Sequence, residues 1–213
     1  MGLDITVVMA DWAHLARIPA GERLEAVEDA VFPDFCCERC EDADYAVEGG
    51  WVWRPQPSPW CAEYRFFTTT GSYSWHFHLA NAWEDMRPSA APDLREALDC
   101  LLSGLFWDGP YDPAAAEDED DDSPAPARGF PEDLVPWRPD VLLLRAPDEV
   151  PALARAWQTA APRLEELHDP FDTEAAQWPA RPATFDAAVA LLHEWGEIVT
   201  RAGERGWGLI GLR

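Results

Sequence analysis

The stretch Thr184 to Leu212, TFDAAVALLHEWGEIVTRAGERGWGLIGL, carries two structural periods in succession. Phe185, Val189, Leu192 and Val199 fall on one helical stripe, and Leu191, Trp195 and Ile198 form an adjacent one. A helix that is apolar on two stripes is buried on more than one side. Thr184 offers a capping hydroxyl at its start, Gly203 and Gly206 end it, and Trp207 to Leu212 then reads as a strand. A long buried helix feeding a short apolar strand is an α/β arrangement.

Neighbouring segments extend the pattern. Val141 to Leu144 is a second buried-strand candidate, and Asp148 is placed to cap the helix that follows. There Val150, Leu153, Trp157, Ala161, Leu164 and Leu167 recur at helical spacing, and Pro162 inside the run predicts a kink. Pro92 to Phe106 is a helix with Leu94, Ala97, Leu98, Leu101 and Leu105 inward, closed by Gly109 and Pro110. At the start of the chain, Leu3 to Ala10 reads as a strand. It leads to a short helix with Trp12, Leu15 and Ile18, stopped by Pro19, and to a second helix with Leu24, Val27 and Val31 on its stripe.

The middle is harder to read. Phe32 to Glu48 looks irregular, Gly49-Gly50 marks a turn, and Trp51 to Trp53 is a short strand. After Gly71-Ser72, Tyr73, Trp75, Phe77 and Leu79 alternate with Ser74, His76, His78 and Ala80, which favours a hairpin strand with a helix taking over near Asn81. The competing reading is a helix through the whole segment, because Trp75, Leu79, Ala82, Trp83 and Met86 also match helical spacing. Residues 112–128 are acidic, rich in Pro and Ala and nearly without large apolar groups, so burial cannot offset their ordering entropy. The expectation is one α/β domain over 1–213, a mixed sheet flanked by helices, with 112–128 as a mobile acidic surface loop.

The order of strand "DVLLLRAP", helix "DEVPALARAWQ" and the Thr184 to Leu212 stretch resembles the C-terminal half of the YfbM-like domain family. "MGLDITVV" and "LREALDCLLSG" resemble its N-terminal half more loosely. The resemblance spans most of the chain and implies an α/β fold. It rests on apolar pattern and the family has no assigned activity, so it carries over no functional residue.

Charge narrows function. All sixteen basic Lys+Arg positions are Arg, against forty Asp+Glu, for a formal net charge of -24. Without lysine there is no P-loop Lys, Schiff-base amine or Ser-Lys pair. An anionic surface repels nucleic-acid phosphate and anionic lipid, so neither is an expected partner. The run Glu117, Asp118, Glu119, Asp120, Asp121 and Asp122 accounts for only six of these charges, which makes acidity a property of the whole surface. That run lacks the spacing and Gly of an EF-hand loop and reads as a solvated loop able to contact a basic protein. The opening residues lack a basic leader and no apolar run reaches the ~20 residues of a membrane span, which predicts a cytoplasmic protein. Five cysteines, an odd count, predict reduced thiols.

Three further constellations compete with structural explanations. Cys36, Cys37 and Cys40 have a zinc-like two-residue gap, and His76-x-His78 supplies a second pair if both imidazoles leave one face of a hairpin; no cofactor is expected, with zinc as the one alternative. Trp51, Trp53, Trp60 and Trp75, with His76 and His78, form an aromatic region suited either to core or to the floor of a ligand cleft. Gly206 to Gly211 spells G-x-G-x-x-G but follows a helix, so its glycines signal close packing and no dinucleotide site. No spacing links Ser, His and acid residues into a catalytic motif, so a binding module for a basic protein is favoured over a small-molecule or metal-dependent enzyme.

Overall fold

The computed structural model describes residues 6–31, 46–53, 59–64, 66, 73–107, 109, 141–175 and 181–212. Six strands form one sheet: β1 (Thr6–Ala10), β2 (Ala46–Glu48), β3 (Trp51–Trp53), β4 (Cys61–Tyr64), β5 (Val141–Arg145) and β6 (Gly208–Leu212), in the order β2-β3-β4-β1-β6-β5. Among the described residues seven α-helices accompany them: α1 (Trp12–Leu15), α2 (Arg23–Val31), α3 (Tyr73–Met86), α4 (Pro92–Leu102), α5 (Val150–Ala160), α6 (His168–Thr173) and α7 (Phe185–Arg205).

Strand β1 lies at the centre and all five of its residues are buried. Side chains alternate across a strand, so Val7 and Met9 enter one apolar cluster while Val8 and Ala10 enter the other. The larger cluster joins one sheet face to α3, α4, α5, α6 and α7. The smaller joins the opposite face to α1 and α2 through Leu15, Val27 and Val31. Register fixes this sorting: Met9 stands opposite Ala62 and Leu209, while Val8 stands opposite Glu63 and Ile210. The result is a single α/β domain with helices on both faces of the sheet.

Each strand pairing is antiparallel, which corrects the expectation of a mixed sheet. The helices between β5 and β6 return the chain to the end where β5 finished, because Arg145 pairs with Leu209. β2 and β3 are joined by Gly49 and Gly50, both at positive φ (54° and 84°), the backbone that a two-residue hairpin demands of both central positions. β2 thus adds order to the end of a segment expected to be irregular.

Residues 73–80 belong to α3, which overturns the hairpin-strand reading. The buried positions His76, Leu79, Ala80, Trp83 and Met86 follow the helical period, whereas Phe77, an inward residue in the period-two reading, is 50% exposed. Helix α4 also stops earlier than expected. Gly104 turns the chain at φ 92°, its N–H donates to Trp107 O, and Leu105, Phe106 and Trp107 drop into the core outside the helix. At α5 the N-cap residue is Glu149 and not Asp148, with no side-chain cap bond there; Glu149 Oε2 instead accepts from Ala146 N–H at 2.8 Å. Pro162 acts as its ring dictates: the α-helix ends at Ala160 and residues 161–167 tighten to a 3-10 helix.

Helix α7 is capped by Thr184, whose hydroxyl accepts from Ala187 N–H at 3.1 Å, and closes at Gly206 in the left-handed region (φ 65°). Gly203 lies within the helix. Three other glycines permit close approach. A Cβ on Gly208 would meet the Trp12 ring at 2.1 Å, one on Gly211 would meet Leu105 at 2.8 Å, and one on Gly196 would meet Trp157 at 2.0 Å. Trp157 on α5 therefore seats its indole directly on the backbone of α7. Gly196→Ala is expected to destabilise the fold by about 3 kcal/mol, since the ring is buried and cannot swing away. Gly203→Ala, whose new methyl meets Val150 at an ordinary 3.7 Å, should stabilise it by ~0.5–1 kcal/mol. Urea denaturation midpoints check both, and equal midpoints for the two variants would contradict this packing.

Candidate functional site

The sheet separates residues that the sequence suggested as one aromatic region. Trp51 and Trp53 lie two apart on β3 and pack toward the larger cluster, with Trp51 edge-on to Tyr64 (centroids 5.1 Å apart, 75°). Trp60 sits with the other cluster, stacked flat on His14 at 4.6 Å. Trp75 lies in the first turn of α3. One cleft floored by all four indoles is thereby excluded, since Trp51 and Trp60 flank opposite sheet faces. His76 and His78 share α3, where two residues turn ~200° about the axis, so the imidazoles cannot leave one face as a metal pair. Cys36, Cys37 and Cys40, and Glu117 to Asp122, lie outside the described residues. Cys61 and Cys100 are free thiols, buried and exposed respectively. Among the described residues no group of three His, Cys, Asp or Glu is arranged to hold a metal ion.

A buried polar centre lies behind β4. The Tyr64 phenol donates to the Glu194 carboxylate on α7, and both residues are at least nine-tenths buried. Burial, then the negative charge of Glu194 and Glu197, holds the phenol pKa well above its ordinary 10.0. Aromatic rings close around the pair. Tyr64 meets Phe66 edge-on at 5.1 Å, Phe66 meets His76 at 4.9 Å, His76 stacks on Phe106 at 4.9 Å, and Phe106 meets Trp195 at 5.8 Å. Trp195 follows Glu194 and donates its Nε1–H to Leu101 O at 2.7 Å, which fixes α7 against α4. Such a dry shell keeps the phenol protonated and the carboxylate oriented. Sequence reasoning missed this centre. The readable signal was Glu194 itself, a carboxylate between Leu191 and Ile198 on a stripe that has to be buried.

Arginine supplies most of the internal polar ties. Arg23 is buried and its Nε–H donates to Leu15 O and Ile18 O, both at 3.1 Å, closing the turn between α1 and α2. Arg87 forms a bidentate pair with Asp99 (2.7 and 2.8 Å), an acceptor shared with Trp83 Nε1–H, and stacks over Trp107. The hydrogen bond that its guanidinium donates to Asp99 raises the Arg87 pKa further. Arg163 joins Asp93 on α4 and Glu166, whose carboxyls are both held below their usual range by hydrogen bonds from its guanidinium. Arg145 donates to Ser103 O, Arg181 donates to Phe171 O, Arg201 pairs with Glu48, and Arg205 stacks on Trp53 and Trp207.

The outer layers are left acidic. Glu22, at the end of the 3-10 turn that leads into α2, and Glu25 and Asp29 on α2 follow one stripe, all exposed, and among the described residues no arginine pairs with them. On the opposite side of the sheet Glu165, Glu166, Asp169, Asp172 and Glu174 are exposed along 165–174, with Arg163 on Glu166 and His168 between Glu165 and Asp172. The arrangement can attract cations at either face. Set against protein-family models, curated proteins and solved structures, the chain gives no match to any of them.

The Tyr64 phenol has a folded pKa above its unfolded value of 10.0, so its contribution is fully present below pH 10 and is lost as pH climbs past it. No lysine titrates in that range to obscure the effect. Tyr64→Phe is expected to lose ~1–3 kcal/mol at pH 7 by stranding the Glu194 carboxylate without its phenol donor. It should also flatten the fall in stability between pH 9 and 11, followed by urea denaturation. A variant with the parent's alkaline slope would contradict this assignment.

Proposed function

We propose that this chain is a cytoplasmic binding module whose acidic outer layers capture a basic protein partner. The observation that carries the reading is the division of charge. Eight of the sixteen arginines, Arg17, Arg23, Arg87, Arg145, Arg163, Arg181, Arg201 and Arg205, are engaged within the molecule, while the stripe Glu22, Glu25 and Asp29 at the start of and along α2 faces solvent without an arginine partner among the described residues. Guanidinium groups thus hold elements together, and carboxylates meet the approaching molecule. Opposite charge then steers encounter and selects partners, with affinity that falls as salt screens the field. Among the described residues no helix is long and apolar enough to cross a membrane, in keeping with this setting. Affiliation with the YfbM-like domains belongs to the same proposal, resting on the order of β5, α5, α7 and β6, with the 3-10 helix 161–167 and α6 between α5 and α7.

A deca-arginine peptide is a suitable probe. Calorimetric titration is expected to show binding at 0.1 M salt that weakens at least tenfold at 1 M, as the Debye length shrinks from ~10 Å to ~3 Å. Neutralising the stripe with Glu22→Gln, Glu25→Gln and Asp29→Asn should weaken it at least threefold at the lower salt. Affinity that is indifferent to salt would overturn the reading.

A further inference from the structure

Arg205 differs from the other seven engaged arginines. Those seven donate hydrogen bonds or form ion pairs, whereas Arg205 has neither among the described residues and is held by two indoles alone. Its guanidinium carbon lies 4.5 Å from the Trp53 ring centroid and 5.3 Å from that of Trp207. The indoles meet edge to face, 6.1 Å apart at 61°, and so make two walls of a slot at the junction of β3, α7 and β6. Indole faces are the strongest cation–π partners among side chains, and a planar, weakly hydrated guanidinium stacks on them better than an ammonium does.

The occupant is also the most replaceable. Arg205 is exposed, is the last residue of α7, and is followed by Gly206 in the left-handed conformation that ends the helix. Nothing ties its five N–H donors to a carboxylate among the described residues.

We propose that the Trp53–Trp207 slot is an arginine-recognition subsite, in which a guanidinium of the basic partner displaces Arg205 and stacks between the two indoles. The inference rests on the binding role proposed above and names where one partner side chain is read. Long-range carboxylate attraction brings the partner in, and the slot distinguishes arginine from other cations. Arg205 holds the slot closed until a partner arginine competes for it.

The test uses the full chain with 15N-labelled tryptophan indoles, the Trp53 and Trp207 resonances being assigned through Trp53→Phe and Trp207→Phe. N-acetyl-arginine amide is titrated at 0.5 M salt, where the long-range field is screened, so that this result stands apart from the deca-arginine titration. In Arg205→Ala and Arg205→Gln the amide should shift both resonances saturably, with a midpoint at least tenfold lower than in the parent. N-acetyl-lysine amide should bind at least threefold more weakly. The ten other indole resonances report that each variant is folded, and the glutamine variant keeps the length of the side chain at the helix end. Saturable shifts equal in parent and variants, or none in either folded variant, would overturn the proposal.

Discussion

Strand β1 is hydrogen-bonded on both edges and buried on both faces, and the remaining elements are arranged by that requirement. Its partners are β4 on one side and β6, the end of the described chain, on the other. Pairing residues 6–10 with residues 208–212 makes the sheet a long-range structure that no half of the chain can assemble alone. Alternation along β1 then demands two apolar layers. Helices α1 and α2 supply the thinner one, and α3 to α7 supply the thicker.

Close packing of the thicker layer depends on tryptophan against glycine. Trp157 lies on Gly196, and Trp12 lies on Gly208 from the other face. The heavy tryptophan content is thereby explained in good part as core filling. Trp83, Trp107 and Trp195 are nearly fully buried, and each places its indole N–H on an acceptor, respectively Asp99, Glu84 and Leu101 O. Trp53 and Trp207 stand apart from this pattern because their common neighbour is a solvent-exposed arginine.

Much of the framework was legible from periodicity: β1, β3, β5, β6 and the helices α2, α4, α5 and α7 lie where apolar spacing placed them, and Pro162 and Gly206 act as their backbone chemistry requires. The segment 73–80 misled because its aromatics satisfy periods of two and of 3.6 at once. The choice is made by the buried stripe that His76 and Leu79 share with Trp83 and Met86, farther along the helix. The Tyr64–Glu194 centre was illegible for another reason. Its members come from β4 and α7 and meet only once the sheet has formed, so helical spacing marks Glu194 as a buried carboxylate and no local spacing names Tyr64 as its partner. The same holds for the arginines: Arg87 with Asp99, and Arg145 with Ser103 O, are tertiary pairs whose partners composition cannot name.

A chain with no lysine relies on guanidinium for its positive charge, and here guanidinium closes turns, clamps helices and caps carbonyls, while carboxylates on α2 and along 165–174 face solvent; the proposed binding role rests on that division. The most direct measurement is side-chain NMR of the arginine Nε–H groups at neutral pH. Slow solvent exchange and hindered rotation about the guanidinium are expected for Arg23, Arg87 and Arg163, with fast exchange at Arg205, whose N–H groups have no acceptor among the described residues. Fast exchange and free rotation at Arg23, Arg87 and Arg163 would contradict the account.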